Sequence, residues 1–428
     1  MKKVIKRALS AVLTASMAVS LAACSNSGSE EFKPRLDTDK SVALDSMVFF
    51  SNFEALDQVI NDFNEYYPNV TVSYEQVGGS SLKDCIENNP YIDIFMVSAE
   101  NLNPNEESKY VVEYCADLSK ENIDFSVINE EMLKARTYDE KLVCIPMSQN
   151  NYGMVVNRTL LEKEGLSVPN NYSEFVSVLN SLKEKGYTPI QAPNKKIYAE
   201  LIENMVLDLI GTDTELQNAL KNGDESAVSK LTPAFSIVED FIKNGYIDSA
   251  VNESYPEDNY DEAILNFFEG NVPFWICNTE KVSGMKKRES KSEPFTANPF
   301  EYEFMYIPIG EKGAYVYTEP WYGFAANVGS DNYDYAVEFL RFLATDKEIN
   351  QIADVKGVPS IAKDAENPIY SKIFNVPQTE LSYVNDGLIE TNMVSILYTV
   401  ATEFGTTNEY ATAEDAARAF VQMCAEVQ

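Results

Sequence analysis

Apolar positions along this chain fall into short runs, helical spacings and alternations that succeed one another. Met47 to Phe50, MVFF, is an apolar run of strand type, and Leu56, Val59, Ile60, Phe63 and Tyr67 then recur on one helix face. Beyond Pro68, Val70, Val72 and Tyr74 alternate as a strand does, and a helix around Leu82 to Asn88 precedes a second buried strand, IDIFMV, Ile92 to Val97. This succession predicts βαβ units and a largely parallel sheet. Ligands of such open sheets bind beyond the strand ends, which singles out the loops after Phe50 and Val97.

Further on, Tyr138 to Phe175 predicts a turn at Asp139 and Glu140, two short strands and a brief helix. A loop then leads into a helix with Phe175, Val178, Leu179 and Leu182 on one face, ended by Gly186. Ala199 to Asn244 reads as mostly helical. FFEGNVPFWICN, Phe267 to Asn278, predicts the end of an amphipathic helix, a Gly-Asn turn and a buried strand, followed by a polar, basic surface insertion, VSGMKKRESKSEPFTANPF, read as a solvated loop or a helix end. MYIPIG and AYVYTEPWYGFAANVGS form an aromatic-rich strand pair, and Ala336, Phe339, Leu340 and Leu343 return to helical spacing. GVPS, Gly357 to Ser360, interrupts before a helical C-terminus that buries Ala417, Phe420 and Val421. The pattern holds no internal repeat and no transmembrane helix.

The N-terminus follows a different logic. Lys2, Lys3, Lys6 and Arg7 precede an uncharged run from Ala8 to Ala23, and the run closes on LAAC, Leu21 to Cys24. This is the pattern of a signal peptide over residues 1–23, with Cys24 placed to become a lipidated first residue, and it resembles the leader of a bacterial lipoprotein. Residues 24–40 are polar and charged, with Phe32 and Leu36 as the sizeable apolar side chains, and are expected to form a disordered tether.

Composition narrows the function. With the leader removed, roughly 400 residues remain, more than one core usually organises, so two domains are expected. The formal charge of -33 argues against nucleic acid and against direct adhesion to anionic headgroups, leaving the lipid anchor as the membrane contact. The absence of histidine removes Ser-His-Asp and Cys-His nucleophile systems, His-containing zinc sites and a phosphohistidine relay. Cys85, Cys115, Cys144, Cys277 and Cys424 are widely spaced, without a CxxC pair, and most read as small buried hydrophobes; one disulfide remains open. No metal or other cofactor is expected.

Several stretches, in order, resemble the family 1 extracellular solute-binding proteins, the carbohydrate-binding lipoproteins of ATP-driven (ABC) importers. FNEYYPNVTV is similar to that family's helix-to-strand pattern and YIDIFMVS to its Pro-Asp-Ile/Val strand. YDEKLVCIPMSQNNYGMVVNRTLLEKEGL is similar to the stretch where its chain first crosses between lobes, and VPNNYSEF stands where Pro-x-Thr-Trp-x-Glu-Phe is usual. FFEGNVPFWICN resembles its Phe-x-x-Gly-x-Ala-Met segment and YDYAVEFLRFLATDKEINQ its late helix. Asn171-Tyr172 and Val272-Pro273-Phe274 depart from the usual residues, which affects ligand identity more than fold.

The resemblance, over roughly residues 42–360, implies an α/β, two-lobed fold of the periplasmic-binding-protein type II class, closing about a hinge. Residues 41–148 with about 320–350 would form the N-terminal lobe, and about 149–319 with 351–428 the C-terminal lobe. A monomer is expected, since a hinge closing on ligand needs no symmetry partner.

A sugar offers hydroxyl edges and weakly apolar faces, so its site needs aromatic platforms with carboxylates and amides. The cleft-facing loops supply Asn52 and Glu54 after the first strand, and Ser98, Glu100 and Asn101 after IDIFMV. Gln149, Asn150 and Asn151 lie at the lobe crossing, Trp275, Asn278 and Glu280 at the FWICNTE strand end, and Glu319, Trp321 and Tyr322 in the TEPWYG turn. Trp321, between Pro320 and Gly323 with one intervening tyrosine, is the foremost platform candidate. The leading expectation is a non-catalytic receptor on the extracytoplasmic face of the cell membrane that hands a sugar or oligosaccharide to ABC permease subunits. A surface-anchored glycoside hydrolase would need a carboxylate pair across a cleft. The same fold with a polyamine or peptide ligand would suit Glu54, Glu100 and Glu319, whereas an anion would need cations that these loops lack.

Overall fold

A computed structural model describes residues 32–51, 53–77, 81–98, 100–102, 106–192, 194–247, 261–376, 378–407 and 409–427. The leader, Cys24, the first part of the tether and Asn52 therefore lie outside the described residues. In chain order the strands are β1 (Val42–Val48), β2 (Val70–Gln76), β3 (Ile94–Val97), β4 (Thr137–Tyr138), β5 (Lys141–Leu142), β6 (Ile145–Pro146) and β7 (Gln149–Asn157). They continue with β8 (Ile190–Gln191), β9 (Phe274–Asn278), β10 (Tyr302–Met305), β11 (Ala314–Pro320), β12 (Gly323–Ala326) and β13 (Thr379–Val384).

Apart from the two-stranded β4-β5 hairpin, these strands make two sheets, each the centre of one lobe, which is the expected two-lobed α/β architecture. The first has the order β2-β1-β3-β12-β6. One core cluster buries Met47, Phe95, Val97, Cys144 and Ala325 of this sheet, and the helix Glu54–Tyr66 buries its own apolar stripe, Ala55, Leu56, Val59 and Phe63. Phe63 meets Phe339 of the helix Tyr333–Leu343 edge to face at 5.1 Å. The second sheet has the order β13-β11-β7-β9-β8, with β10 alongside β7. The helices Ile197–Thr212, Glu225–Asn244, Thr391–Thr406 and Ala413–Glu426 supply most of its core. Helix contact there is close enough that a Cβ on Gly405 would overlap the Tyr198 ring.

Parallel pairing, as expected, joins β1 to β2 and β3, and it also joins β8 to β9 and β11 to β13, but the remaining pairs are antiparallel. β12 runs antiparallel to both β3 and β6, and β7 runs antiparallel to β9, β10 and β11. Parallel pairing requires a crossover on one sheet; β7 and β12 instead enter their sheets from the other lobe, so their direction is set by the crossing. The turn expected at Asp139 and Glu140 joins β4 to β5, with φ of 46° and 65° at its two residues, the left-handed pair that a two-residue hairpin of this twist needs.

Two further expectations are corrected. The tether does not extend to Lys40: the Arg35 and Leu36 amides donate to the Tyr67 hydroxyl at 3.0 and 3.2 Å, and the Tyr335 hydroxyl donates to the Asp37 carbonyl. The lobe boundary near residue 350 falls inside the helix Asp346–Lys356, which packs on the helix Glu54–Tyr66 of the first lobe. Of the two readings of the basic stretch after residue 281, the helix end holds for its first half, which continues the helix Thr279–Arg288 and buries Val282 and Met285. Among the described residues no helix is long and apolar enough to cross a membrane. Cys115, Cys144, Cys277 and Cys424 are buried free thiols, and Cys85 is a half-buried one.

Candidate functional site at the lobe crossing

The chain passes between the two sheets where β6 gives way to β7 and where β11 gives way to β12, and the backbones of these crossings are tied to each other. The Met147 amide donates to the Tyr322 carbonyl at 2.9 Å, and the Trp321 amide donates to the Ser148 carbonyl at 2.7 Å. A third segment joins them after Gly357, whose φ of 65° ends the preceding helix in the left-handed conformation glycine favours. There the Gln149 side-chain amide donates to the Ser360 carbonyl at 2.6 Å, and the Tyr370 hydroxyl donates to the Gly357 carbonyl at 2.6 Å. Three extended segments bonded mainly through backbone, without a packed core of their own, are what a hinge requires.

On this crossing stands an aromatic cluster. Trp321 and Tyr322 are half-buried, and Phe49 and Phe50, at the end of β1, close on them: Phe50 lies 5.5 Å from Trp321 and 5.3 Å from Tyr322, and Phe49 lies 5.0 Å from Tyr322. Arg136, fully buried, supports the turn from beneath. Its guanidinium donates to the carbonyls of Pro320 and Trp321, and to that of Ala135 at 3.3 Å. Burial lowers the Arg136 pKa, and the fields of Cys144 and Glu319 oppose that shift.

Glu319 continues the site into the second lobe. Its carboxylate accepts from the Tyr152 hydroxyl at 3.4 Å, and with Glu203, Tyr317 and Asn385 it lines a cavity of about 200 Å³. Burial pushes Glu203 up to about 8, further raised by Glu200 and Glu319, while the Tyr398 hydroxyl, donating at 2.7 Å, pulls the other way. Val394 and Ser395 also line a second cavity of about 590 Å³ along the helix Thr391–Thr406, which includes Tyr398, Thr402, Lys195 and Glu403. The two spaces thus adjoin, and together they offer hydroxyls, carboxylates and aromatic rings on one wall.

Of the residues expected from sequence, Glu319, Trp321, Tyr322 and Gln149 come together here. Asn150 and Asn151 do not face a ligand: the Asn150 carbonyl oxygen accepts from the Thr279 hydroxyl at 2.9 Å, and that of Asn151 accepts from the Tyr306 and Thr318 hydroxyls, all in the interior of the second lobe. Trp275 is 1% exposed, with Phe267 6.3 Å away, so it is core and presents no platform. Asn278 caps the helix Thr279–Arg288 by accepting from the Lys281 amide at 3.1 Å, and Glu54 is exposed in the first turn of its helix. Ser98 donates to the Asn101 side-chain oxygen at 3.0 Å, a local turn contact; the side chain of Glu100 lies outside the described residues, as does Asn52.

Sequence reasoning missed Phe49, Phe50, Arg136, Glu203 and Lys356. Phe49 and Phe50 carried a usable signal, since they stand at the end of β1 where ligands of open sheets bind. Arg136 and Lys356 carried none, because contacts over 184 residues and more in sequence place them.

Residues 50–349 match the family described as bacterial extracellular solute-binding protein. The chain is 20% identical over 383 residues to the multiple sugar-binding protein of Streptococcus mutans, covering 86% of this chain and 84% of that one. Among solved structures it is similar to a sugar transporter from Rhizobium etli in an open conformation, with a TM-score of 0.69 at 17% identity over 91% of this chain and 100% of that one. It is also similar to a sugar transporter from Bacillus licheniformis in complex with stachyose, with a TM-score of 0.61 at 17% identity over 90% of this chain and 100% of that one.

Proposed function

We propose, from the premise that this chain belongs to the bacterial extracellular solute-binding proteins, that its solute is an oligosaccharide bound at the lobe crossing. The observation that carries this reading is Trp321: a half-buried indole with Tyr322 and Phe50 around it, two residues from the carboxylate of Glu319. An aromatic face receives the C–H surface of a sugar ring, and a carboxylate two residues away accepts from its hydroxyls. The adjoining cavities along the helix Thr391–Thr406 give room for more than one ring, and their lining of Tyr398, Thr402 and Glu403 matches a hydroxyl-rich ligand. Relatives named for multiple sugars and for a complex with stachyose support the same class.

Binding closes the lobes about residues 147–149, 320–322 and 357–361, and the closed form is handed to ABC permease subunits. The protein does no chemistry on the saccharide. It works as a monomer at the extracytoplasmic face of the cell membrane, held by lipid on Cys24.

A thermal-shift panel of mono- and oligosaccharides, polyamines and short peptides against the protein lacking residues 1–24 tests the reading. A ligand at a hundred times its dissociation constant adds about 2.7 kcal/mol of stability. A shift with an oligosaccharide that is recovered intact supports the proposal. A shift confined to polyamines or peptides overturns the solute class, and cleavage of any saccharide overturns the claim of no catalysis.

A further inference from the structure

Lys356 occupies an unusual position for a cation. It ends the helix Asp346–Lys356, where the helix dipole favours a lysine pointing to water. Here the side chain is half-buried, turned inward over the aromatic cluster. Its ammonium lies 4.6 Å from the ring centre of Phe50, 5.1 Å from Trp321 and 5.5 Å from Phe53. Such contacts stabilise a cation less than a carboxylate in the same place would. Among the described residues Lys356 makes no salt bridge, although acidic residues outnumber basic ones 67 to 34 in this chain.

The same lysine lines an interlobe cavity of about 310 Å³ between its own helix and the helix Thr279–Arg288, and Lys286 and Lys287 line it from the other side. Lys286 is occupied by Glu289 at 2.8 Å, and Lys287 is exposed. Burial lowers the Lys356 pKa and Lys287 lowers it further, against a smaller opposing pull from Glu280. Two cations, Lys356 and Lys287, therefore converge on this space, whose wall also carries Asp354, and Lys356 joins it to the Trp321 platform.

We infer that this cavity is an anion subsite, and that the saccharide stacked on Trp321 carries an acidic group, a uronate carboxylate or a sulfate ester, received by Lys356 with Lys287. The inference rests on the saccharide reading above and specifies its ligand. An anion there relieves the repulsion between the two lysines and replaces ring contacts with a charge-assisted hydrogen bond. It also bridges the helices of the two lobes, so the acidic group contributes to closure.

Titration calorimetry on the protein lacking residues 1–24 tests this with three ligands: a uronate-bearing oligosaccharide, its carboxyl-reduced neutral counterpart, and a sulfated oligosaccharide of the same length. The expected result is binding of at least one acidic form about tenfold or more tighter than the neutral one, with affinity falling as salt rises. Lys356→Gln should erase that preference and Lys356→Arg should keep it, with melting temperatures confirming that both fold. Whether the uronate or the sulfate arm responds names the group. Equal binding of neutral and acidic forms, or a preference that survives in Lys356→Gln, overturns the inference and leaves saccharide capture standing. Binding of none of the three overturns the inference, and the neutral panel described above decides separately whether saccharide capture falls with it.

Discussion

The buried guanidinium of Arg136 holds the main-chain carbonyl of Trp321 at 3.2 Å, so a residue of the first lobe fixes the backbone under the ring that stands at the crossing. The carbonyl of Pro320 takes a second bond from the same nitrogen. A fully buried arginine with carbonyls in place of a carboxylate forfeits most of the Coulomb energy that an ion pair would return. What it supplies is a rigid fork of donors to the Pro320 and Trp321 carbonyls.

Replacing Arg136 with Met should therefore destabilise the protein, because the Pro320 and Trp321 carbonyls lose a buried donor at a cost of about 1–3 kcal/mol each. Denaturant unfolding should show a lower midpoint. Saccharide affinity should fall too, since the Trp321 ring loses its fixed seat; an unchanged midpoint would show that the turn holds itself.

Trp321→Ala should weaken oligosaccharide binding by about tenfold or more, while Trp275→Phe should leave affinity near the parent value and lower stability. Calorimetry separates the two. The contrast follows from burial: Trp321 keeps an accessible face and Trp275 is 1% exposed.

Stability should fall as pH rises from the ordinary carboxylate range toward 9. Burial holds Glu203 at about 8 and Asp208 at about 9, so the folded chain retains protons that the unfolded chain releases above about 4. The stabilising contribution of each proton is complete below that value and is lost through the folded pKa. Glu203→Gln and Asp208→Asn should each flatten the dependence of melting temperature on pH over this window, and a slope unchanged in both would contradict the assignment.

Much of the fold was legible in sequence because its signals are local. The apolar stripe Leu56, Val59 and Phe63, the alternation after Pro68, and the Asp139-Glu140 turn each depend on residues close in the chain. The order of motifs then identified the two-lobed architecture. The site was less legible, for the same reason. Trp321 could be found from its place between proline and glycine, but FWICN, read as a buried strand, left Trp275 equally open to core and platform, and the two asparagines after Gln149 read as loop amides until β7 pairs with β11 and β9 and buries them. Lys356 ends a helix that sequence places away from β1, and tertiary packing alone sets it over Phe50.

Gly405→Ala should lower stability by about 1–3 kcal/mol, an overpacking cost, because the added methyl meets the Tyr198 ring where the helices Ile197–Thr212 and Thr391–Thr406 touch. Gly165→Ala meets nothing within 4 Å and tests left-handed backbone strain alone, at φ 72°. Thermal melts of the two variants distinguish crowding from strain.

Capture of an oligosaccharide on Trp321 without chemistry can be read directly by intrinsic fluorescence, because the chain has two tryptophans, one of them sealed in the core. Titrating an oligosaccharide into the protein lacking residues 1–24 should change the emission saturably, with the ligand recovered whole. The change should vanish in Trp321→Phe. Binding detected by calorimetry with no change in emission, or a saccharide consumed during the titration, would contradict the claim.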